Sequence, residues 1–278
     1  MLTSNRGIFA ATLLAGLGLS ATPAFAETDD VVQLADASAV EFDRAAEPVL
    51  MHDVSYVGGE SEFELSGNVS LVSDYRFRGV SFSDGDPALQ GGIDLAHSSG
   101  FYIGTWGSTI SGGTPYGELE VDLYGGWSGD ISDGVSFDAG LLYYVYPTEN
   151  ELANALDVDT DYFEPYASIG TSLGPVSATL GVAYAWDQAS LGDQDNLYIS
   201  TDFEAAIPNT PLTLTAHAGY TDGVFATQAD GTSFDWGLGA SYAVTGSLSL
   251  GVNYVDTQGP AIEDFTDAGF FFTIGYSM

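Results

Sequence analysis

From Phe63 to the end, the sequence keeps changing sides. In 118–128, Leu119, Val121, Leu123 and Trp127 share one parity, while Glu118, Glu120, Asp122 and Tyr124 share the other. Successive side chains of a strand point to opposite faces, so such a segment has one apolar face and one small or charged face. The same pattern sets Val176, Ala178, Leu180, Val182, Tyr184 and Trp186 against Ser177, Thr179, Gly181, Ala183 and Asp187. It sets Leu197, Ile199 and Phe203 against Tyr198, Ser200, Asp202 and Glu204, and Phe234, Trp236, Leu238, Ala240 and Tyr242 against Asp235, Gly237, Gly239 and Ser241. Twelve segments read this way, at about 63–78, 88–97, 100–109, 118–128, 134–146, 162–172, 175–187, 196–207, 211–220, 234–243, 247–256 and 269–278. Sheets with this division need a different solvent on each face.

Charge and composition narrow the options. Four Lys plus Arg stand against 39 Asp plus Glu, for a net charge of −35, and all four cations are Arg. Such a chain repels nucleic-acid phosphates. It has no cysteine, so disulfides cannot staple it. Without Lys it also lacks the residue that often guards open sheet edges, and a closed barrel has no edges to guard.

The first 26 residues carry one charge at Arg6, an apolar run from Ile8 to Leu17 and a small-x-small site at Ala24-Phe25-Ala26. This reads as a secretory signal, because the run is shorter than the ~20 residues a spanning helix needs. Residues 27–62 are acidic, with a loose helical stripe at Val31, Leu34, Ala35, Phe42 and Ala45 ending before Pro48. They are expected to be a periplasmic lead-in, mobile or partly helical, ahead of a barrel at 63–278.

Connections alternate between short and long. The short ones are turn-like: His97-Ser98-Ser99-Gly100, Gly129 to Gly134, Leu173-Gly174-Pro175, Pro208 to Pro211, and Val244 to Ser247. Those near 79–87, 110–117, 147–161, 188–195, 221–233 and 257–268 are longer and mostly acidic. Short periplasmic turns and long outer loops are the pattern of outer-membrane barrels. The expected fold is therefore all-β, a closed antiparallel transmembrane barrel of about twelve strands, with ten or fourteen as alternatives. The last strand alternates Phe270, Phe272, Ile274, Tyr276 and Met278 with Phe271, Thr273, Gly275 and Ser277. An aromatic ending of this kind would be its contact with the barrel-assembly machinery.

Four stretches carry a family resemblance: Ser73-Asp74-Tyr75-Arg76-Phe77-Arg78-Gly79-Val80-Ser81, Asp86 to Asp94, Gly100 to Ser108, and Tyr143-Tyr144-Val145-Tyr146-Pro147. Over about 63–278 the chain resembles the TorF-like porin family of bacterial outer-membrane proteins. The resemblance implies a pore in the outer membrane of a Gram-negative bacterium. It brings no catalytic or ligand residues with it.

The residues themselves offer no catalytic set. Only His52, His97 and His217 are present, and a base needs a positioned partner. No phosphate loop, zinc-helix motif or Gly-x-Ser-x-Gly elbow occurs. Asp157-Val158-Asp159-Thr160-Asp161 with Glu164 suggests a calcium loop, but Tyr162 and Ser168 stand where such a loop needs Gly and Glu. No cofactor or bound metal is expected, nor enzyme activity.

The polar faces place Asp94, Glu118, Glu120, Asp122, Asp138, Glu164, Asp187, Asp202, Glu204, His217 and Asp235 toward the interior, with Asp74, Arg76 and Arg78 on the first strand. Carboxylate rings favour cations. The arginines would either line a positive constriction or pair with Asp74, Asp94 and the Glu118 to Asp122 row as an internal clamp, and pairing is the favoured alternative. The expected function is passive diffusion of small hydrophilic solutes, cations preferred, through a barrel surrounded by outer-membrane lipid. A non-conducting structural or adhesive barrel and a lipid-modifying enzyme are the alternatives.

Overall fold

The computed structural model describes residues 62–148 and 159–278. In chain order its strands are β1 (Phe63–Val72), β2 (Arg76–Phe77), β3 (Val80–Ser81), β4 (Ala88–His97), β5 (Phe101–Gly112), β6 (Gly117–Ser132) and β7 (Val135–Val145). They continue with β8 (Tyr162–Leu173), β9 (Val176–Gln188), β10 (Gln194–Ala206), β11 (Leu212–Gly223), β12 (Thr232–Ala243), β13 (Leu248–Thr257) and β14 (Gly269–Ser277). Among the described residues β1 and β4 to β14 close into one antiparallel barrel of twelve strands. β1 supplies the closure, pairing with β4 from Phe63↔His97 to Val72↔Ala88 and with β14 from Asn68↔Ser277 to Val72↔Thr273. The expected leader, most of the lead-in, His52, Asp157 and Val158 lie outside the described residues.

The barrel is apolar outside and polar inside. Leu65 is 69% exposed and Phe270 68%, whereas Glu120, Asp122 and Glu164 are fully buried. Rings collect near both rims of the outer face. Tyr143, Phe163 and Trp186 stack in a row at the long-loop end, and Trp127 meets Phe137 near the short turns. A continuous apolar belt of this kind, edged with aromatics, suits hydrocarbon between two wet interfaces. No helix among the described residues is long and apolar enough to cross a membrane.

Two expectations are corrected. The first strand does not run to residue 78: it ends at Val72, where the Ser73 N–H donates to Phe272 O at 2.8 Å and Ser73 Oγ accepts from the Phe272 N–H at 2.9 Å. Beyond it β2 and β3 form a small hairpin with Arg76↔Ser81 and Phe77↔Val80. Its turn is Arg78-Gly79, with φ of 47° and 79°, and tight hairpins favour two left-handed residues there. A strand through residue 78 would set Tyr75 and Phe77 on the apolar face with Phe63, Leu65, Val69 and Leu71, opposite Asp74, Arg76 and Arg78, but the two rings are 0% and 4% exposed. The second correction is that long connections do not alternate strictly with short ones. β5 and β6 extend toward each other and are joined by a single helical turn, α1 (Gly113–Tyr116, 4 residues).

Candidate functional site

The hairpin turns inward at the long-loop end and spans the mouth of the lumen. On one side Phe82 O accepts from the Ser111 N–H of β5 at 2.7 Å, and on the other the Ser81 N–H donates to Phe265 O at 2.8 Å. Tyr75 OH donates to Glu120 of β6 at 2.8 Å, with its ring edge-on to Phe82 and Trp106. Phe77, Val80 and Phe82 are buried with wall aromatics such as Tyr144 and Tyr162. The hairpin therefore has its own apolar core inside a polar barrel.

Both arginines of the described residues sit on this hairpin, and both are paired. Arg76 Nε meets Asp74, its NH1 donates to Asp267 O at 2.7 Å, and Asp74 also accepts from Ser81 Oγ at 2.5 Å and Ser83 Oγ at 3.1 Å. Arg78 NH2 donates to the two oxygens of Glu164 at 3.2 and 3.3 Å, and its guanidinium carbon stands 3.8 Å above the Tyr198 ring. Arg76 thus meets the expected Asp74, but Arg78 crosses to Glu164 on β8 rather than to Asp94 or the Glu118 to Asp122 row.

The other candidate residues spread around the wall. Asp94 on β4, Glu120 and Asp122 on β6, Asp138 on β7, Glu164 on β8 and Asp235 on β12 are buried at inward parity. Asp202 and Glu204 on β10 and His217 on β11 are half-buried at inward parity. Glu118 and Asp187 share that parity but lie exposed at the long-loop rim. His217 bridges neighbouring strands, with Nδ1 2.7 Å from Asp202 and Nε2 2.9 Å from Asp235. Glu164 points into the lumen, away from the loop acids it follows in sequence, and Asp161 accepts instead from the Tyr146 N–H at 2.9 Å and from Tyr143 OH at 3.2 Å. No three His, Asp or Glu groups among the described residues stand at metal-ligand spacing.

Sequence reasoning put Tyr124 and Tyr198 on polar faces without giving them a role, and passed over Tyr102 and Tyr166. Tyr124 OH donates to Asp94, Tyr102 OH donates to Asp138 at 2.9 Å and meets Tyr166 OH, and Tyr198 OH donates to Asp235 at 3.1 Å. Three of these rings lie flat because a glycine faces them across the ladder, in Tyr102↔Gly126, Gly104↔Tyr124 and Gly140↔Tyr166. A Cβ at Gly140 would come 2.4 Å from the Tyr166 hydroxyl and push the ring into the lumen. An inward tyrosine opposite an inward glycine was the available signal.

Ser99 Oγ lies 2.7 Å from His97 Nδ1 at a short turn, but the same nitrogen also accepts the Ser99 backbone N–H at 3.1 Å. Both contacts close the turn, and the other ring nitrogen of His97 stands 3.6 Å from Glu62, which is largely exposed.

Residues 56–276 match the model of a family described as "Bacterial protein of unknown function (Gcw_chp)". The chain belongs to the Gcw_chp family. Curated proteins gave no match. Among solved structures the Gcw_chp barrel is similar to the NanC porin, at 12% identity over 77% of this chain and 99% of that one, with a TM-score of 0.52. The KdgM porin in complex with disordered oligogalacturonate is 8% identical over 77% and 96% of the two chains, with a TM-score of 0.49. An outer-membrane channel from Pseudomonas putida F1 is 12% identical over 80% and 99%, with a TM-score of 0.42. The NanC likeness is one of fold.

Proposed function

We propose that this Gcw_chp protein is an outer-membrane diffusion channel of a Gram-negative bacterium that passes small hydrophilic solutes and favours cations. The observation that carries the reading is the balance of charge on the inner wall: carboxylates come from β4, β6, β7, β8, β10 and β12, while Arg76 and Arg78 are already tied to acids. The porin-like fold and the resemblance to TorF-like porins support the same reading. An enzymatic role finds no support at His217, whose ring nitrogens face Asp202 and Asp235, nor at the His97 turn.

In a planar bilayer under a KCl gradient, the reversal potential should have the cation-selective sign. The preference should shrink with salt as the Debye length falls from ~10 Å at ~0.1 M to ~3 Å at ~1 M. Anion selectivity of the folded barrel would sink the charge argument.

The inserted hairpin favours one refinement, a barrel that is narrow or shut at rest. Conductance that rises when the hairpin is released distinguishes it from a permanently open pore.

Orientation follows from loop length. A Cys introduced at Asp193 or Gln228 in this cysteine-free chain should react on intact cells with a membrane-impermeant thiol reagent, whereas one at Ser99 or Thr210 should not. The reverse labelling pattern would turn the barrel over.

A further inference from the structure

The wall that receives Arg78 has the form of a receptor for a guanidinium group. Glu164 offers both oxygens to Arg78 NH2, Tyr144 OH donates to the same carboxylate at 3.2 Å, and the Tyr198 ring lies beneath the charge as a cation–π floor. Glu164, Tyr144 and Tyr198 belong to β8, β7 and β10, so this half of the site is built by the barrel and does not depend on the hairpin. The side chains of Glu164 and Arg78 are 0% and 2% exposed.

The present occupant does not use the site fully. Arg78 arrives on a tether, from a turn residue in the left-handed region, and its Nε and NH1 have no hydrogen-bond partner. Asp122 is the register partner of Tyr144 and is completely buried, yet neither of its carboxylate oxygens has a partner. Unused donors on the tenant and unused acceptors in the same stretch of wall indicate that the tether holds Arg78 short of full engagement. Glu120, Asp122 and Glu164 also place more carboxyl groups here than one guanidinium engages. A free guanidinium could approach at its own angle.

We propose that this cage is a recognition site for a solute carrying a guanidinium group, and that Arg78 is its built-in competitor, so that the solute displaces the hairpin as it binds. A guanidinium fits better than an ammonium because its planar fork matches a carboxylate edge while its face stacks on a ring. The proposal rests on the channel reading only for the route by which the solute arrives.

Titration calorimetry of the detergent-folded barrel with ethylguanidinium chloride tests it without any current being measured. A non-conducting barrel would therefore overturn the channel reading and leave the binding result standing. A tethered side chain competes at an effective concentration of roughly millimolar, so Arg78→Ser should bind ethylguanidinium at least ~10-fold more tightly than the wild type. Adding Glu164→Gln to that variant should remove the gain, and tetramethylammonium should not reproduce it. Equal affinity of wild type and Arg78→Ser, or equal binding of tetramethylammonium, overturns the proposal. If Arg78→Ser does not fold alone, refolding in millimolar ethylguanidinium decides the matter: recovered barrel supports the cage, and no recovery overturns it.

Discussion

Replacing Arg76 and Arg78 together by serine should cost the folded barrel several kcal/mol and release the hairpin from the lumen, giving a larger and noisier conductance. The larger share of the cost comes from Arg78. Glu164 has no exposure, and removing its cation strands a buried carboxylate, which typically costs about 3–5 kcal/mol. Arg76 contributes less because one of its acids, Asp267, is 37% exposed and partly solvated, although its bonds to Asp74 and to Asp267 O fix the hairpin base. The checks are heat- or urea-induced unfolding in detergent and single-channel recording of the same preparation. An unchanged unfolding midpoint with a quiet increase in cation conductance would mean that the arginines form a positive constriction and hold nothing in place.

An arginine placed on the lipid face should be nearly as costly, for a different reason. Leu123 lies near the middle of β6, is 48% exposed and pairs with Thr105 and Tyr143 on its neighbours. Leu123→Arg should destabilise the barrel in a folding titration into lipid vesicles by up to about 2–4 kcal/mol, the range for a cation at the midplane, reduced by however far the site lies toward the Tyr143 rim. The adjacent residue gives the control. Asp122 faces the lumen with unpartnered oxygens, so Asp122→Asn breaks no hydrogen bond and should cost far less. Equal losses at the two positions would contradict the register of β6.

The strands and their faces were legible in the sequence because alternation is a local property, repeated wherever a chain divides lipid from a polar interior. The segment 88–97 matches β4 residue for residue, and 162–172 differs from β8 by one. Near the rims the sequence was a poorer guide: β5 runs on to Gly112 and β6 to Ser132, past the expected 109 and 128, because strands continue to pair past the point where their faces stop differing. The candidate acids, like Tyr124 and Tyr198, could be assigned a parity but not a partner, and Tyr102 and Tyr166 went unnoticed because residue type alone does not separate a lipid-girdle tyrosine from one lying on the inner wall.

The segment 73–83 shows where local pattern stops deciding. Asp74, Arg76 and Arg78 alternate with Tyr75 and Phe77 as they would on a barrel strand, and an inward hairpin produces the same period. Arg78-Gly79 was a weak hint of a turn, since arginine is not a usual left-handed residue. What turned the segment inward lies far along the chain: Glu164 is 86 residues from Arg78, and Asp267 is 191 from Arg76. The sequence by itself determined an alternating chain long enough for twelve strands, with an excess of acid on one face of them. Only closure of the barrel, which brings β6, β8, β10 and the 258–268 loop around one space, decided that Arg76 and Arg78 would sit in the middle of that acid.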